Sequence, residues 1–513
     1  MNETLTIDAW QYVCRFLKPS AIITLLSTCQ ILHLNLKIRV LAILSKHLEI
    51  NPQFNINQIL SQPKYDQLCL LTFYGSHQLE KETISRLLSL KSLRLIGASF
   101  RVVAHLADLS IRHLDLSNFS NSNLDLKGMT SLSYLRIAGR SSITQEQLDS
   151  LNLEYLTLHG NQHPLNLDHM TKLKELVLYF KTNVQVSQQT INRLPLRRLI
   201  LKGSHSITTT ELLDLSPLTR LTLLKLGNTN KILESSITNL MNLRTLIMDL
   251  TVKEPVNIGK LTRLSCLKLI GDMPIIEYNP KCFSRLKILH MTGNTYVEDS
   301  HLIGLNLIEL SCLNCPWIGD ILHLTSLTAL TVNDCCSIDQ ETVNNMTQLK
   351  SLTMLSIYNN SVTQYVSHLT QLKILNVGGK CGVNQDGIKG LVSLVHFSAD
   401  NNTTITDVSF MTNLTKLSIR RNSGVEIQSF CNLPITYLDV SENPSAMCLR
   451  NMTSLRHLFA CGHSCGISPD SITGLKLTCL LTMNNPLFRK PRLAPIDETP
   501  ASDDTDGNDN NEN

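Results

Sequence analysis

The sequence predicts an α/β solenoid, in which short strands form one curved parallel β-sheet and short helical or 3₁₀ segments form the convex side, preceded by a small three-helix head. Three observations support this fold class. The chain has 513 residues, which is too long for one hydrophobic core, since such cores stop growing near ~250–300 residues. Leucine far outnumbers every other apolar type, whereas aromatic residues make up only 5% of the chain. A short apolar motif also recurs over about four-fifths of the sequence. Many thin, similar layers of leucine account for all three.

The recurring motif is a hexamer of the form apolar-x-x-apolar-x-apolar, as in Leu153-Glu-Tyr-Leu156-Thr-Leu158. It occurs 20 times between residues 68 and 482, with start-to-start spacings of 20 to 25 residues. Such constancy of phase is typical of repeat architectures. The copies begin at Leu68, Leu90, Ile111, Leu132, Leu153, Leu173, Leu196, Leu221, Leu243, Leu264, Leu286, Leu307, Leu327, Leu352, Leu372, Leu394, Leu414, Ile435, Leu455 and Leu477.

The spacing predicts a strand in each copy. Alternate residues of a strand point to the same side, so the fourth and sixth positions face the core and the third, fifth and seventh face outward. One strand cannot bury its apolar side alone, so successive copies stack as a parallel sheet. With ~21 residues per copy, ~16 remain for the return, enough for a short helix or 3₁₀ turn.

The ninth position of the copies is the second regular feature. An Asn amide can satisfy both backbone donors and acceptors where the chain turns sharply after the strand, and Cys tolerates burial there. Ala98, Lys181 and Asp272 depart from this pattern and predict irregular turns. The position is otherwise filled by Asn161, Asn294, Asn360, Asn402, Asn422, Asn443, Asn485, Cys315 and Cys335. In motif and spacing, residues 68–486 resemble the leucine-rich repeat family, which implies a leucine-rich repeat solenoid.

Residues 1–50 do not follow the repeat, and their apolar residues recur at helical spacing. Four short segments of this head resemble the F-box family: Leu5-Thr-Ile-Asp8, Cys14-Arg-Phe-Leu17, Pro19-Ser-Ala-Ile22 and Ser27-Thr-Cys-Gln30. Thr6, Ala21 and Leu32 differ from that pattern, and a plain helical cap of the solenoid is the alternative.

The F-box resemblance implies a specific partner. Proteins of that family dock an apolar helical surface onto the Skp-type adaptor of a cullin–RING ubiquitin ligase, and their repeats capture the protein substrate. The resemblance therefore implies a substrate-recognition subunit, with a non-ligase scaffold or inhibitor-like binding module as the alternative. The residues expected at the adaptor are Leu5, Ile7, Trp10, Pro19, Ile22 and Leu26.

The remaining segments are a joint and a tail. Residues 51–67 form a polar joint that contains Pro52 and Pro63. Residues 487–513 contain seven acidic and no basic residues from Asp497 onward, so we expect a disordered acidic tail, because such a segment buries too little surface to offset its ordering. A solubilising role is the simplest interpretation of the tail, and a charge-based docking peptide is the alternative.

Charge and hydropathy limit the classes of partner and the compartment. A net charge of +4 over this length does not favour a nucleic-acid partner. The apolar stretch of residues 21–44 is interrupted by His33, Lys37 and Arg39, so we expect no membrane span. The N-terminus lacks the pattern of a secretory signal, and the odd number of cysteines, 15, is typical of reduced thiols. We therefore expect a cytoplasmic or nuclear protein.

No motif in the sequence predicts catalysis or a cofactor. The cysteines at 312, 315, 335 and 336 have a spacing that zinc sites also use. The repeat explains three of them, because Cys315 and Cys335 fill the ninth position and Cys312 the sixth. We therefore expect no metal site and no enzyme activity.

The outward sheet positions are the predicted partner-binding surface. Tyr and Arg, which are enriched at the energetically important centres of interfaces, recur there in the first half of the repeats. Their charge favours an acidic protein surface or peptide as the partner, and scattered surface residues are the alternative. The candidates are Arg94, His113, Tyr134, Arg136, Tyr155, His159, Tyr179, Arg198, Lys202 and Lys225, with a second cluster at Tyr358, Lys416, Arg420, Tyr437, His457 and Phe459.

Overall fold

A computed structural model gives the fold as two units, residues 1–352 and 353–513, which are considered separately. The residues that the structure describes are 47–50, 60, 68–74, 82, 85–96, 106, 109–117, 126–139, 143–161, 163–179, 182, 184–202, 207–208, 212–227, 232–249, 256–272, 275–276, 280–334 and 337–488.

The first unit contains 19 described strands, all short. In chain order they are β1 (His47–Ile50), β2 (Leu70–Tyr74), β3 (Ser92–Ile96), β4 (His113–Ser117), β5 (Tyr134–Ala138), β6 (Tyr155–Leu158), β7 (Leu165–Asn166), β8 (Glu175–Leu178), β9 (Val184–Gln185), β10 (Arg198–Lys202), β11 (Ile207–Thr208), β12 (Leu223–Gly227), β13 (Thr245–Asp249), β14 (Val256–Asn257), β15 (Cys266–Ile270), β16 (Ile275–Ile276), β17 (Ile288–Thr292), β18 (Glu309–Leu313) and β19 (Ala329–Thr331).

Most of these strands form one parallel sheet in chain order. The main sheet runs β1-β2-β3-β4-β5-β6-β8-β10-β12-β13-β15-β17-β18-β19, and every pair in it is parallel. The two-residue strands lie apart from it, with β7, β9 and β11 in one small sheet and β14 and β16 in another. A parallel sheet without strand reversals requires a return path after every strand, as the repeat predicted.

The returns contain short helical segments. Thr144 is the N-cap of helix α1 (Gln145–Asp149), and Ser187 is the N-cap of α2 (Gln188–Arg193). Each N-cap hydroxyl accepts a hydrogen bond from the backbone N–H three residues later in the chain. Helix α3 (Gln340–Asn345) begins at Asp339, whose carboxylate accepts from the Thr342 N–H. Three other returns contain 3₁₀ turns, at Glu234–Asn239, Pro280–Phe283 and Asp299–His301, and a further 3₁₀ turn, Met346–Gln348, directly follows α3.

The second unit repeats the same plan with shorter strands. Its strands pair in parallel and in chain order: β20 (Met354–Ser356), β21 (Ile374–Asn376), β22 (His396–Ser398), β23 (Lys416–Ser418), β24 (Tyr437–Asp439), β25 (His457–Phe459) and β26 (Cys479–Leu481). Its returns contain helix α4 (Ile427–Phe430) and 3₁₀ turns at Asp386–Ile388, Asp470–Ile472 and Pro486–Phe488.

The predicted repeat phase is confirmed in both units. Each of the 20 motif copies contains a main-sheet strand that begins two residues after the copy starts. Leu135, Leu156 and Leu176 are partners in register on β5, β6 and β8, and all three are buried. They therefore belong to one shared apolar column, and the parallel, layered strands of each unit fit a leucine-rich repeat fold.

Burial of a layer depends on the strand that follows it. Leu458 on β25 is fully buried, whereas Leu480, its register partner on β26, is 40% exposed. No described strand follows β26. The same repeat position is thus core or surface according to whether a neighbouring layer covers it.

The turn after each strand follows a rule that the sequence predicted in part. The ninth-position Asn402, Asn443 and Asn485 are buried, and each donates from its amide to the sixth-position carbonyl of the preceding repeat, at Val377, Ile419 and Ala460. These hydrogen bonds form a ladder, in which each asparagine side chain is joined to the backbone of the preceding layer. Asn422 is an exception, since it is exposed and the turn buries Ser423 instead.

Described elements extend beyond residues 68–486 at both ends. Strand β1 lies before Leu68 and pairs with β2, so the sheet starts within the segment assigned to the head. At the other end, the 3₁₀ turn Pro486–Phe488 extends into the segment assigned to the tail. Residues 1–46, most of the joint, and residues 489–513 lie outside the described residues, and the predicted three-helix head is among them.

Candidate protein-binding face

All ten candidate residues of the first half lie on the outward face of the main sheet of the first unit. They occupy third, fifth or seventh repeat positions on β3 to β12 or directly after a strand, as for His159 and Tyr179. We call this surface the basic-aromatic face, defined as the outward positions of β3 to β15. Its side chains form three groups with different electrostatic character.

The first group is a row of rings at the third position. His113, Tyr134 and Tyr155 are register partners on β4, β5 and β6. The ring centroids of His113 and Tyr134 are 5.5 Å apart, and those of Tyr134 and Tyr155 are 5.9 Å apart. Burial of the hydroxyl, together with the nearby carboxylate of Asp115, raises the pKa of Tyr134. The row offers a broad aromatic surface whose side chains have few rotamers to lose on binding.

The second group is centred on a carboxylate that our sequence analysis missed. Asp115 lies on β4, at the fifth position of its repeat, and is only 6% exposed. Its Oδ2 accepts a hydrogen bond from Arg94 Nε at 2.9 Å and lies 3.9 Å from Arg136 Nη1, while its Oδ1 accepts from Ser117 Oγ. One anion therefore binds the Arg94 guanidinium and also offsets part of the charge of Arg136. The phase of the repeat alone would have placed Asp115 on this face.

A second missed carboxylate reduces the positive charge further. Glu175 is the first residue of β8 and occupies the third position of its repeat. Its Oε2 lies 3.2 Å from Nη1 of Arg198 on β10. Arg198 is therefore paired within the face. The surface is less basic than the list of its cations suggests.

The third group combines rings with cations. The rings of His159 and Tyr179 are stacked with centroids 3.7 Å apart, and Lys202 Nζ lies 4.9 Å from the Tyr179 centroid. His159 Nε2 is buried and has no hydrogen-bond partner among the residues that the structure describes. Burial, followed by the charges of Arg136 and Lys202, lowers the pKa of His159. The imidazole is thus kept neutral beside a cation–π pair.

Beyond this stack, positive charge accumulates. Burial and the neighbouring ammonium groups of Lys202 and Lys268 lower the pKa of Lys225, and Asp249 acts in the opposite direction. The sequence analysis did not name Lys268, which lies on β15 at the fifth position of its repeat. Among the ion pairs between described residues, none involves Lys202, Lys225 or Lys268. These three lysines are therefore cations of the face without a described ion-pair partner, although the Asp249 carboxylate offsets part of the charge around Lys225.

A shallow depression lies at the start of the face. Its volume is about 290 Å³, and Arg94, His113, Asp115 and Tyr134 line it together with residues of β2 and Ser92. Its lining combines the charged groups of Arg94 and Asp115 with the rings of His113 and Tyr134.

The second cluster lies on the outward face of the second unit. Register partners at the third repeat position, on β23, β24 and β25, are Lys416, Tyr437 and His457. The Tyr437 ring lies 5.0 Å from that of Phe459. Arg420 Nε is 3.8 Å from Asp439 Oδ2, so this cation is also partly compensated. Tyr358, on β20's repeat, packs against Gly378, where a Cβ would approach the ring to 2.9 Å.

The cysteines do not form a metal centre within the described part of the chain. No group of three or more His, Cys, Asp or Glu side chains there is arranged to hold a metal ion. Cys312 and Cys315 are buried, and a hydrogen bond with Cys312 lowers the pKa of Cys315 to about 7. Cys335 and Cys336 lie outside the described residues. Among the helices that are described, none has the length and apolar character needed to cross a membrane.

Comparison with known proteins gives similarity only at the level of structure. No family model and no curated protein matches the sequence. Similar solved structures include an internalin (inlF) from Listeria monocytogenes, at 18% identity and a TM-score of 0.31, covering 74% of this chain and 88% of that one. They also include TLR13 in a complex with ssRNA13, at 17% identity and a TM-score of 0.41, covering 85% of this chain and 73% of that one.

The residues expected at an adaptor remain a prediction. Leu5, Ile7, Trp10, Pro19, Ile22 and Leu26 all lie outside the described residues. Binding of a partner by the ten candidate residues of the basic-aromatic face is likewise a prediction.

Proposed function

We propose that this chain is a non-catalytic protein-binding solenoid that captures an acidic partner on its basic-aromatic face. The observation that carries the proposal is the combination of clustered outward rings with lysines that form no ion pair with a described residue. His113, Tyr134 and Tyr155 supply rigid aromatic area, and Lys202 and Lys225 supply charge. Aromatic anchors with surrounding complementary charge are typical of protein interfaces.

Site-specific photo-crosslinking tests this proposal. A photo-reactive amino acid is placed at Tyr155, which faces outward on β6, and in a second protein at Lys172, an exposed residue of a return segment. In extract of the native cell, we expect the Tyr155 probe to capture a defined acidic protein that the Lys172 probe does not. Substitution of Tyr134 and Tyr179 by Ala should abolish the capture. The same set of proteins at both probes would contradict the proposal.

We further propose a specific form of this function, in which the chain is the substrate-recognition subunit of a Skp–cullin–F-box type ubiquitin ligase. The support is the F-box resemblance of residues 5–30, together with the order of a helical head followed by leucine-rich repeats. In this form, the head binds the Skp-type adaptor and the repeats position the target, inside the cytoplasm or nucleus. Target choice would then come from positioning alone.

A pull-down with a Skp-type adaptor tests the ligase form. The full chain should retain the adaptor, and substitution of Pro19 by Ala and Ile22 by Lys should remove it. An adaptor missing from the wild-type pull-down rejects this form and leaves the binding function intact.

The alternative is a scaffold or inhibitor-like module whose head only seals the first layer. Deletion of residues 1–45 separates the two. A sealing head predicts aggregation or unfolding, since the end of a solenoid exposes its core. An adaptor-binding head predicts a folded array that still captures its target.

A further inference from the structure

The spacing of Lys225 and Lys268, which form no ion pair with a described residue, points to one conformation of the bound segment. On the fifth-position row, Lys225 on β12 and Lys268 on β15 hold the same register, with Ile247 of β13 between them. Neighbouring strands lie ~4.8 Å apart, so the two lysine Cα atoms are separated by ~9.6 Å. The apolar Ile247 provides no counter-charge in the gap.

This separation matches the repeat of a polyproline II helix. That helix has three residues per turn and a rise of ~3.1 Å, so residues i and i+3 point the same way ~9.3 Å apart. A fully extended strand places same-side residues ~6.7 or ~13 Å apart, which does not match. An α-helix places its nearest same-face residues ~5–6 Å apart and repeats the face only after two turns, at ~10.8 Å.

The neighbours of the lysines suit a proline-rich segment. Ile200 lies beside Lys225 on β10, so apolar and cationic side chains alternate along the row from Ile200 to Lys268. Gly227 is opposite Lys202 and leaves the seventh-position row open there. Aromatic and apolar surfaces that contact proline rings are typical of proline-rich recognition.

The length of the surface sets the length of the segment. Five strand spacings separate β6, which carries Tyr155, from β15, which carries Lys268. They correspond to ~24 Å, the length of about eight residues in polyproline II conformation. Such a segment reaches from the aromatic row to the lysines.

We propose that the basic-aromatic face binds a proline-rich peptide segment in polyproline II conformation with acidic residues at every third position. This inference rests on the proposed function, because it uses the same face, and it adds the conformation and register of the partner. The carboxylates at i and i+3 pair with Lys225 and Lys268, and prolines between them contact Ile200 and Ile247.

Fluorescence anisotropy with synthetic peptides on the full chain tests the register. The first probe is a labelled peptide of three Glu-Pro-Pro repeats, and the second has the same composition with its three glutamates adjacent. We expect the spaced peptide to bind about threefold to tenfold more tightly. Lys225→Gln and Lys268→Gln should each weaken it about threefold. In the double variant the two peptides should bind equally.

Controls keep the outcomes distinct. Lys172→Gln, at an exposed residue of a return segment, should leave the binding of both peptides unchanged. Circular dichroism of every variant shows whether the fold is retained. Two further probes are an α-helical peptide with glutamates seven residues apart and a single-stranded RNA of twelve uridines.

Four results would overturn the inference. They are equal affinity for the spaced and clustered peptides, no binding of either, tighter binding of the helical peptide, or tighter binding of the RNA with the same dependence on Lys225 and Lys268. None of these peptide results decides the proposed function, which the crosslinking from Tyr155 tests separately.

Discussion

The asparagine at the ninth repeat position shows how one side chain joins two layers. Asn402 donates to the Val377 carbonyl at 2.9 Å and the Val383 carbonyl at 3.0 Å, both in the preceding repeat, and its Oδ1 accepts from the Thr404 N–H. Because the residue is buried, water cannot replace these bonds. The repeat spacing predicted the position, and the structure adds the identity of the partners.

Replacing Asn402 by Ala should therefore be costly. The Val377 carbonyl loses its side-chain donor, the Val383 carbonyl keeps only a 3.4 Å bond from Thr404 Oγ1, and the Thr404 N–H loses its acceptor. We therefore expect the free energy of unfolding to fall by about 2–4 kcal/mol, measured by urea denaturation. Asn413 is the matched control, because its single bond to the Val392 carbonyl is exposed. Asn413→Ala should cost less than ~1 kcal/mol. Equal losses for the two variants would show that the ladder does not stabilise the layers.

The eighth position is a residue-scale feature that sequence analysis overlooked. Asn314, Asn359, Asn401, Arg421 and Glu442 all adopt the left-handed conformation there, with φ between 52° and 59°. Asn and Gly tolerate this conformation, which explains Gly379 and Gly462 at the same position. Arg421 and Glu442 do not favour it, and they form an ion pair of 3.0 Å across two repeats. Because the residue type at the eighth position varies so much, the amino-acid sequence does not predict the left-handed backbone conformation there.

At the scale of elements, the outward face is decided by which strands are neighbours. The charge of Asp115 offsets those of Arg94 and Arg136, and the charge of Glu175 offsets that of Arg198. All five residues belong to different repeats. The sequence indicated which residues face outward. Their pairing depends on rotamers and on register between strands, which the structure provides.

The stack of His159, Tyr179 and Lys202 across β6, β8 and β10 predicts a pH dependence. Burial and nearby cations lower the pKa of His159 in the folded state below its ordinary value of 6.5. The unfolded chain then binds the proton more tightly, so this residue lowers the stability as the pH falls through 6.5 and adds no further loss below the folded pKa. A nuclear magnetic resonance titration should show His159 titrating below 6.5.

Substitution and ligand provide the checks on this pH dependence. In His159→Gln, the loss of stability between pH 7.5 and pH 5.5 should be smaller than in the wild type. A bound acidic peptide should raise the pKa of His159, since a nearby anion favours the protonated ring. A His159 pKa at or above 6.5 in the free protein would contradict the burial of its ring nitrogen.

At the scale of the whole molecule, the repeats act as layers that contact only their neighbours. A deletion that preserves the phase should therefore be tolerated. Removal of residues 394–413 takes out one 20-residue repeat and joins Ser393 to Leu414, the start of the next copy. We expect a folded protein whose thermal midpoint falls by less than ~5 °C.

A deletion out of phase is the matched control. Removal of residues 394–403 takes out β22 and Asn402 but leaves half of the return segment. It should lower the midpoint by more than ~10 °C or abolish cooperative unfolding, as followed by circular dichroism. Equal behaviour of the two deletions would mean that repeat phase does not govern the stability of the second unit.

The sequence by itself determined the repeat phase, the start of all 20 motif strands and the core-facing side chains, because these depend on local alternation of apolar residues. The tertiary structure alone decided which charges form an ion pair, as for Asp115 with Arg94, and which have none among the described residues, as for Lys268. It also decided that Leu458 is buried and its equivalent Leu480 is exposed, since burial and electrostatic pairing depend on the neighbouring layer, whose contribution no single repeat encodes.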